Sequence, residues 1–442
     1  MKLIFLNRFF HPDHSATSQM LSDLAFALAE RGWPVCVITS RLRYDAHADT
    51  LPPRETVDGV SVYRVWTSRF GRANLLGRSI DYATFYLSAA WQLWRLARSG
   101  DVVVAKTDPP MVSVIALPVC WLRSARLVNW LQDIFPEAAQ ALGVGSRIAQ
   151  LPYHLLRWLR NASLKAALTN VVVGERMAKF VAEMGVARER IRLIPNWADG
   201  RVIAPMDREA NTLSAEWDLD DAFVVAYSGN LGRAHDSETL LEAMTILPGM
   251  AERTISAGGP PERRPVLWFF IGSGALIGPL KAEVAGRGLT SVLFKPYQAK
   301  ALLAQSLSAA TVHLVSLLPE LEGLIVPSKF YGIAAAGRPT IFVGDNDGEI
   351  ARLIARHKCG CTIAVGDGAG LAQAIAELAA QPGLCRLMGE NARRAFEAEF
   401  DRPIAMARWQ NLLIEIANFD VVGSHCDTGA ACDPARSLRN AR

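Results

Sequence analysis

Val312-His313-Leu314-Val315-Ser316-Leu317 leads into Glu322-Gly323-Leu324-Ile325-Val326-Pro327-Ser328-Lys329-Phe330-Tyr331-Gly332, then the alanine-rich Ile333–Pro339 and a second apolar run, Thr340–Gly344. The stretch reads as strand, loop, helix and strand. Apolar strands without alternation are covered on both faces, and a helix between two of them makes them parallel neighbours. The rhythm extends outward through Phe223–Gly229, Val266–Gly272, Val292–Lys295 and Cys361–Val365. It is also present upstream, in Lys2–Phe10, Val35–Ser40, Val60–Trp66, Asp101–Lys106, Arg126–Gln132 and Asn170–Val173, with helical patterns at Ser18–Arg31, Ile80–Arg98 and Ile148–Leu168. Two runs of α/β alternation predict two Rossmann-like domains. The break falls near Pro195–Gly200, so we expect domains at 1–200 and 201–401, a last helix over 402–420 that packs back toward the first domain, and an unstructured tail at 421–442. The Pro/Gly/Arg-rich segment Pro248–Pro265 reads as a mobile surface loop.

The 442 residues exceed what one hydrophobic core holds, and half of them are hydrophobic with a fifth charged, as in a soluble globular protein. No apolar run approaches the roughly 20 residues that span a bilayer. Met111–Leu122, which contains Pro118, reads as a buried helix. The N-terminus reads as a strand without a signal-peptide cleavage site, which gives a cytoplasmic expectation. The seven cysteines have neither metal-ligand nor disulfide spacing and read as cytosolic thiols. Charge is uneven: 24 Lys and Arg against 16 Asp and Glu up to residue 200, and 23 against 27 beyond it. A basic front half with tryptophans suits an anionic membrane or a phosphate-bearing partner. No nucleic-acid-binding signature accompanies the charge.

Two motifs carry candidate chemistry. In Tyr227-Ser228-Gly229-Asn230-Leu231-Gly232-Arg233, small residues let a phosphate approach the backbone and Arg233 adds charge, although an ordinary strand-to-helix turn has the same outline. In the opening stretch, Glu322 can accept two sugar hydroxyls and Lys329 can meet a diphosphate; a solvated Glu and a surface Lys are the alternative, which the Pro-Ser-Lys order before an alanine-rich helix weakens. Both follow a strand at the sheet's carboxyl edge, where open α/β sheets bind ligands.

Together these pieces resemble glycosyltransferase family 4, the retaining nucleotide-sugar transferases of the GT-B fold, and most closely its exopolysaccharide, O-antigen and colanic acid branch. The resemblance covers roughly residues 1–415. It rests on Ser15–Gln19 with Glu30-Arg31-Gly32, Gln132–Glu137, Arg192–Asp199, Val326–Lys329 with Ala336–Pro339, and Gly348-Glu349-Ile350 with Gly366-Asp367. It implies that Arg233 and Lys329 hold the donor diphosphate, that Glu322 contacts the transferred sugar, and that Asp133 faces that sugar from the front domain. It places Gly229, Asn230, Gly232, Gly272, Ser328 and Glu349 around the donor, and Thr17 and Ser18 on the acceptor side. It further implies a lipid-linked, undecaprenyl-diphosphate acceptor, no metal or other cofactor, and peripheral attachment to the inner face of the cell membrane. The chain departs from the family at two places. Counted back from Gly337, the usual ribose-binding Glu is Gly332. Asn230 and His235 replace a flanking Arg and Lys, which moves the phosphate role to Arg233 and leaves His235 one hydrogen bond to donate. An epimerase of the same fold and an inactive scaffold are the alternatives.

Other signals carry less. Gly272–Gly278 lacks dinucleotide spacing and reads as a loop beside the donor nucleotide. Asp345-Asn346-Asp347 and Asp218-Leu219-Asp220 match a metal-binding pattern, yet Arg233 and Lys329 already offer positive charge. His11-Pro12-Asp13-His14 reads as a polar turn rather than a zinc site. Arg64, Arg69, Arg72, Arg78, Arg95 and Arg98 mix with Trp66, Phe70, Phe85, Trp91 and Trp94, which suits lipid headgroups or, equally, a core helix with one wet face.

Overall fold

The computed structural model describes residues 1–13, 15–43, 51–71, 75–143, 150–207, 210–256 and 264–426. His14, Arg72 and the end of the chain from 427 lie outside them. The front sheet contains β1 (Leu3–Leu6), β2 (Val35–Ser40), β3 (Arg54–Val57), β4 (Val60–Val65), β5 (Val102–Lys106), β6 (Arg126–Trp130), β7 (Thr169–Val172) and β8 (Ile191–Leu193). Their order is β3-β4-β2-β1-β5-β6-β7-β8. Among the described strands of this sheet, only β3 runs antiparallel. It escapes the apolar pattern because Arg54-Glu55-Thr56-Val57 is a polar edge strand. The turn Asp58-Gly59, with φ of 45° and 80°, is what folds it back.

The back sheet holds β9 (Phe223–Ser228), β10 (Val266–Ile271), β11 (Val292–Lys295), β12 (Val312–Ser316), β13 (Thr340–Val343) and β14 (Gly360–Ile363), in the order β11-β10-β9-β12-β13-β14. Every described pairing in it is parallel. In each sheet the strand order reverses once, between β1 and β5 and between β9 and β12. Chain connections leave those two points in opposite directions and open a crevice at the carboxyl ends.

Alternation along β1 explains the layers. Ile4 and Leu6 pack with Phe85, Ala89 and Leu93 of the Leu75–Leu96 helix. Leu3 and Phe5 pack on the other face with Leu21 and Leu24 of Ala16–Glu30 and with Trp409 and Leu413 of Arg402–Cys426. Trp130 stacks on Trp197 of the linker at 5.9 Å and meets Trp409 edge-on at 4.8 Å. Arg126 Nη1 donates to Ile416 O at 2.7 Å. The last helix is thereby tied to the front sheet, and fully burying each such ring contributes about 2–3 kcal/mol.

Two expectations need correction. The last helix runs to Cys426, into the stretch expected to be a tail. The segment expected as a loop from Pro248 is helical to Ser256, since Glu238–Ser256 continues through that proline. Buried Leu240, Met244 and Leu247 hold the preceding turns against the core, which offsets the hydrogen bond that Pro248 cannot make.

A shared core joins the domains: Ile134 and Met177 of the front pack with Leu321, Leu324, Val326 and Ile350 of the back. Asp133 bridges Ile325 across the boundary, and Ile134 N–H donates to Leu324 O at 2.9 Å. The cleft floor is therefore built from both domains.

Candidate active site

The donor-side wall forms at the β9/β12 reversal. After Ser228 the chain turns at Gly229, whose φ of 119° favours glycine. Leu231 is fully buried and anchors the turn. Leu231 N–H donates to Ser273 O at 2.8 Å, and Gly229 N–H to Ile271 O at 2.8 Å. The loops 229–231 and 272–274 thus lie backbone to backbone, and Gly272 helps support the wall.

Lys329 opens the helix Lys329–Ala335 and reaches back to this turn. Its Nζ donates to Asn230 O at 3.0 Å, contacts Tyr227 Oη, and lies 4.1 Å from the Tyr227 ring centroid. His235 Nε2 is 3.3 Å away. His235 Nδ1 lies 2.6 Å from Ser316 O, an acceptor, so Nδ1 carries the proton and Nε2 turns its lone pair toward Lys329. Burial and the Lys329 charge hold the His235 imidazole down at about 3. The hydrogen bond His235 has to give goes to the end of β12, so this residue positions Lys329 rather than meeting a phosphate.

Burial lowers the Lys329 ammonium to about 7. A diphosphate beside it would favour the charged form and raise that value. Binding of a nucleoside diphosphate above about pH 7 should therefore take up a proton, approaching one per site, and affinity should fall as pH rises further. Calorimetry in two buffers of different ionisation enthalpy measures the uptake. Uptake that survives in Lys329→Ala would assign it elsewhere.

Glu322 lies near the same rim, half-buried. Its Oε2 accepts the Glu349 N–H at 3.1 Å, and Oε1 is buried without a partner. A Cβ on Gly348 would come 2.2 Å from that oxygen, so glycine leaves the carboxylate its room. Burial pushes the Glu322 carboxyl up to about 7, so near neutrality it both donates and accepts.

The opposite wall sits at the β1/β5 reversal. Lys106 ends β5, is 1% exposed, donates to Thr17 O at 2.9 Å and lies 3.7 Å from the Trp130 ring centroid. Thr17 Oγ1 donates to Asp108 Oδ2 at 3.1 Å. Burial lowers Lys106 to about 7, against the pull of Asp108, Asp133 and Asp23. Asp133 reaches solvent inside the cleft while protein surrounds it. Desolvation and Asp108 raise its carboxyl to about 6, with Lys106 opposing.

The expected residues divide on these contacts. Lys329, Gly229 and Asn230 come together, and Gly232 lies on the same turn. Arg233 is exposed there, and no described residue holds its guanidinium. Ser328 is exposed and caps nothing with its side chain. Thr17 joins the front cluster, but Ser18 is fully buried and donates to Asp13 O at 3.2 Å, so it shapes the helix start and faces no acceptor. Glu349 points across the domain boundary, where its Oε2 accepts the Arg176 N–H at 3.0 Å, and is not turned to a donor. Gly332 packs toward Leu307 and Ile203 in the interior, so the position counted as ribose-binding lies off the rim. Asp345 and Asp347 are ion-paired with Arg176 at 3.3 and 3.0 Å. Lys106, Asp108 and Arg176 were missed. A lysine that closes an all-apolar strand and is followed by Thr-Asp-Pro-Pro was the available signal for the first two.

Residues 16–197 match the sequence profile described as Glycosyl transferase 4-like domain. The chain is 28% identical over 318 residues to the probable glycosyltransferase WbjE of Pseudomonas aeruginosa, covering 70% of this chain and 74% of that one. It is 25% identical over 382 residues to the putative colanic acid biosynthesis glycosyl transferase WcaI of Escherichia coli K12, covering 80% and 86%. Among solved structures, HepE of Anabaena in complex with UDP-glucose superposes with a TM-score of 0.67 at 16% identity, over 94% of this chain and 100% of that one. The architecture is GT-B.

Proposed function

We propose that the chain is a family 4 glycosyltransferase of polysaccharide biosynthesis that moves a sugar, with retention, from a nucleotide-sugar donor to a lipid-linked saccharide at the inner face of the cell membrane. The observation that carries the reading is Lys329, which meets the Gly229–Asn230 turn at the back sheet's reversal point, in a cleft that Asp133 lines from the front domain. HepE, of the same fold, binds UDP and UDP-glucose, which supports a nucleotide diphosphate beside that turn.

In this reading Lys329 and Arg233 hold the diphosphate, and Glu322 takes the sugar hydroxyls with its free oxygen. The bond from the anomeric carbon to the diphosphate oxygen breaks, and the acceptor hydroxyl oxygen attacks that carbon from the same face. The hydroxyl proton passes to the departing diphosphate, so configuration is retained and charge balances. The two cationic side chains supply the stabilisation that a divalent ion could otherwise bring, so turnover should survive a chelator. Asp133 faces the sugar, and the Thr17–Asp108–Lys106 cluster lines the acceptor's approach.

The purified protein, given a panel of nucleotide sugars and undecaprenyl-diphosphate-linked saccharides, should release one nucleoside diphosphate per sugar transferred. No release from any donor would sink the proposal, and sugar interconversion without acceptor would replace it with an epimerase.

A further inference from the structure

Resting on that membrane-borne acceptor, we propose that three neighbouring front-domain helices, Leu75–Leu96, Val112–Leu122 and Gln150–Ala166, form one docking surface for an anionic bilayer. The helices pack side by side, and the first two close one face of the front sheet. A helix in that place needs one apolar stripe, toward the sheet. Leu75–Leu96 has two. Phe85, Ala89 and Leu93 face inward, while Leu76, Ile80, Leu87, Trp91 and Trp94 are exposed, with Leu87 at 73% and Trp91 at 65%. The spacing of that second set follows the helical period, so it is one continuous stripe.

The next two helices extend it. Trp121 and Leu122, which the sequence placed in a buried helix, are 79% and 58% exposed. Leu155 and Trp158 are 57% and 65% exposed, and Trp66 and Phe70 lead into the first helix exposed as well. Among the described residues, Arg123 lies over the Trp94 ring at 5.2 Å, and no other residue is seen over the exposed rings of these helices.

Charge decides the occupant. The three helices carry Arg78, Arg95 and Lys165 exposed, with half-buried Arg157 and buried Arg160 beside them, against one acid, Asp81. Asp81 is buried and bonded to Ser68 Oγ at 2.6 Å and to the N–H groups of Phe70 and Gly71 at 3.0 Å. Glu137, beside the third helix, is taken up by Arg157 and Arg160. A second copy seated face to face would set arginine against arginine, because a twofold interface apposes the same patch. A layer of anionic headgroups over hydrocarbon satisfies the arginines and the tryptophans together. No described helix is long and apolar enough to cross a membrane, so the surface would lie on the bilayer.

The surface also leads toward the acceptor wall. Asp81 lies 3.8 Å from Arg8, which follows β1 and sits over the rings of Phe9 and Tyr82 at 5.3 and 5.1 Å. A lipid-linked saccharide moving along the face would meet the β1/β5 rim.

Sedimentation of the full chain with vesicles tests this. Binding is expected to equimolar phosphatidylcholine and phosphatidylglycerol, weaker at high salt, and weak to phosphatidylcholine alone. The double variant Trp91→Ala, Trp121→Ala should lower the partition about tenfold or more, with its circular dichroism and its turnover on a water-soluble acceptor unchanged. Equal partition of wild type and variant overturns the proposal, as does self-association through this face without vesicle binding. Transfer to the soluble acceptor without vesicle binding would remove the docking surface alone. Vesicle binding without any transfer would remove the transferase reading and leave the surface standing.

Discussion

Lys329→Ala is expected to cut turnover at saturating donor by on the order of 10²–10³-fold while leaving the fold at least as stable as before. Among the described residues, Lys329 is the cation held on the Gly229–Leu231 turn, by Asn230 O at 3.0 Å, the Tyr227 hydroxyl and the lone pair of His235. Charge builds on the diphosphate as the glycosidic bond breaks, so a positioned ammonium gains more in the transition state than in the ground state. Stability should move the other way. Burial depresses this lysine to about 7, from an ordinary value of 10.5 in the unfolded chain. Between those values the unfolded state binds more protons, so the native state is disfavoured as pH falls from 10.5, fully so below about 7. Removing the amine lifts that penalty. A melting temperature at or above wild type, together with collapsed turnover, marks a group kept for chemistry at some cost to the fold. Near-normal turnover in the variant would sink the assignment, and a large fall in melting temperature would make Lys329 structural.

The parallel strands were legible because strands covered on both faces leave unbroken apolar runs, as in Val102-Val103-Val104-Ala105. The place of Lys329 in the fold was legible for a related reason. A charged residue that opens the helix following an apolar strand of an open α/β sheet has few places to go but the carboxyl rim. Which strands become neighbours is a long-range choice with no local signature. The sequence therefore located Asp133 without the Lys106 and Asp108 that set its charge, and β1 without its pairing to β5. Two misplacements share that cause. Ser18 sits one residue from Thr17, yet a helix turns them about 100° apart, so one faces the cluster and the other the interior. The family resemblance puts Glu349 beside the donor, but its carboxylate accepts from the Arg176 backbone in the other domain. Asp345 and Asp347 match a metal-binding pattern in sequence, and the fold pairs both with Arg176 instead.

Gly272→Ala is expected to destabilise the protein by about 2–5 kcal/mol and to abolish nucleotide binding, though no ligand need touch this residue. Its φ is 132°, in the region that disfavours a side chain, and the added Cβ would lie 2.3 Å from Gly229 O and 2.9 Å from Gly229 C. Both partners are backbone, so no rotamer relieves the clash. The strand Val266–Ile271 fixes one loop and the strand Phe223–Ser228 the other, paired residue by residue up to Ile271 and Ser228. Relief must come by pushing the Gly229–Leu231 turn into the cleft. That turn carries Asn230 O, so Lys329 loses its seat in the same movement. Gly278 makes the control: its added Cβ meets nothing within 4 Å, and it lies inside the helix Ile277–Gly286. Gly278→Ala should be neutral or stabilise by about 0.5–1 kcal/mol, since glycine disfavours a helix. Melting curves with and without a nucleoside diphosphate separate the two variants. If Gly272→Ala melts and binds like Gly278→Ala, the two rim loops are not in backbone contact, and the seat built for Lys329 on them fails with it.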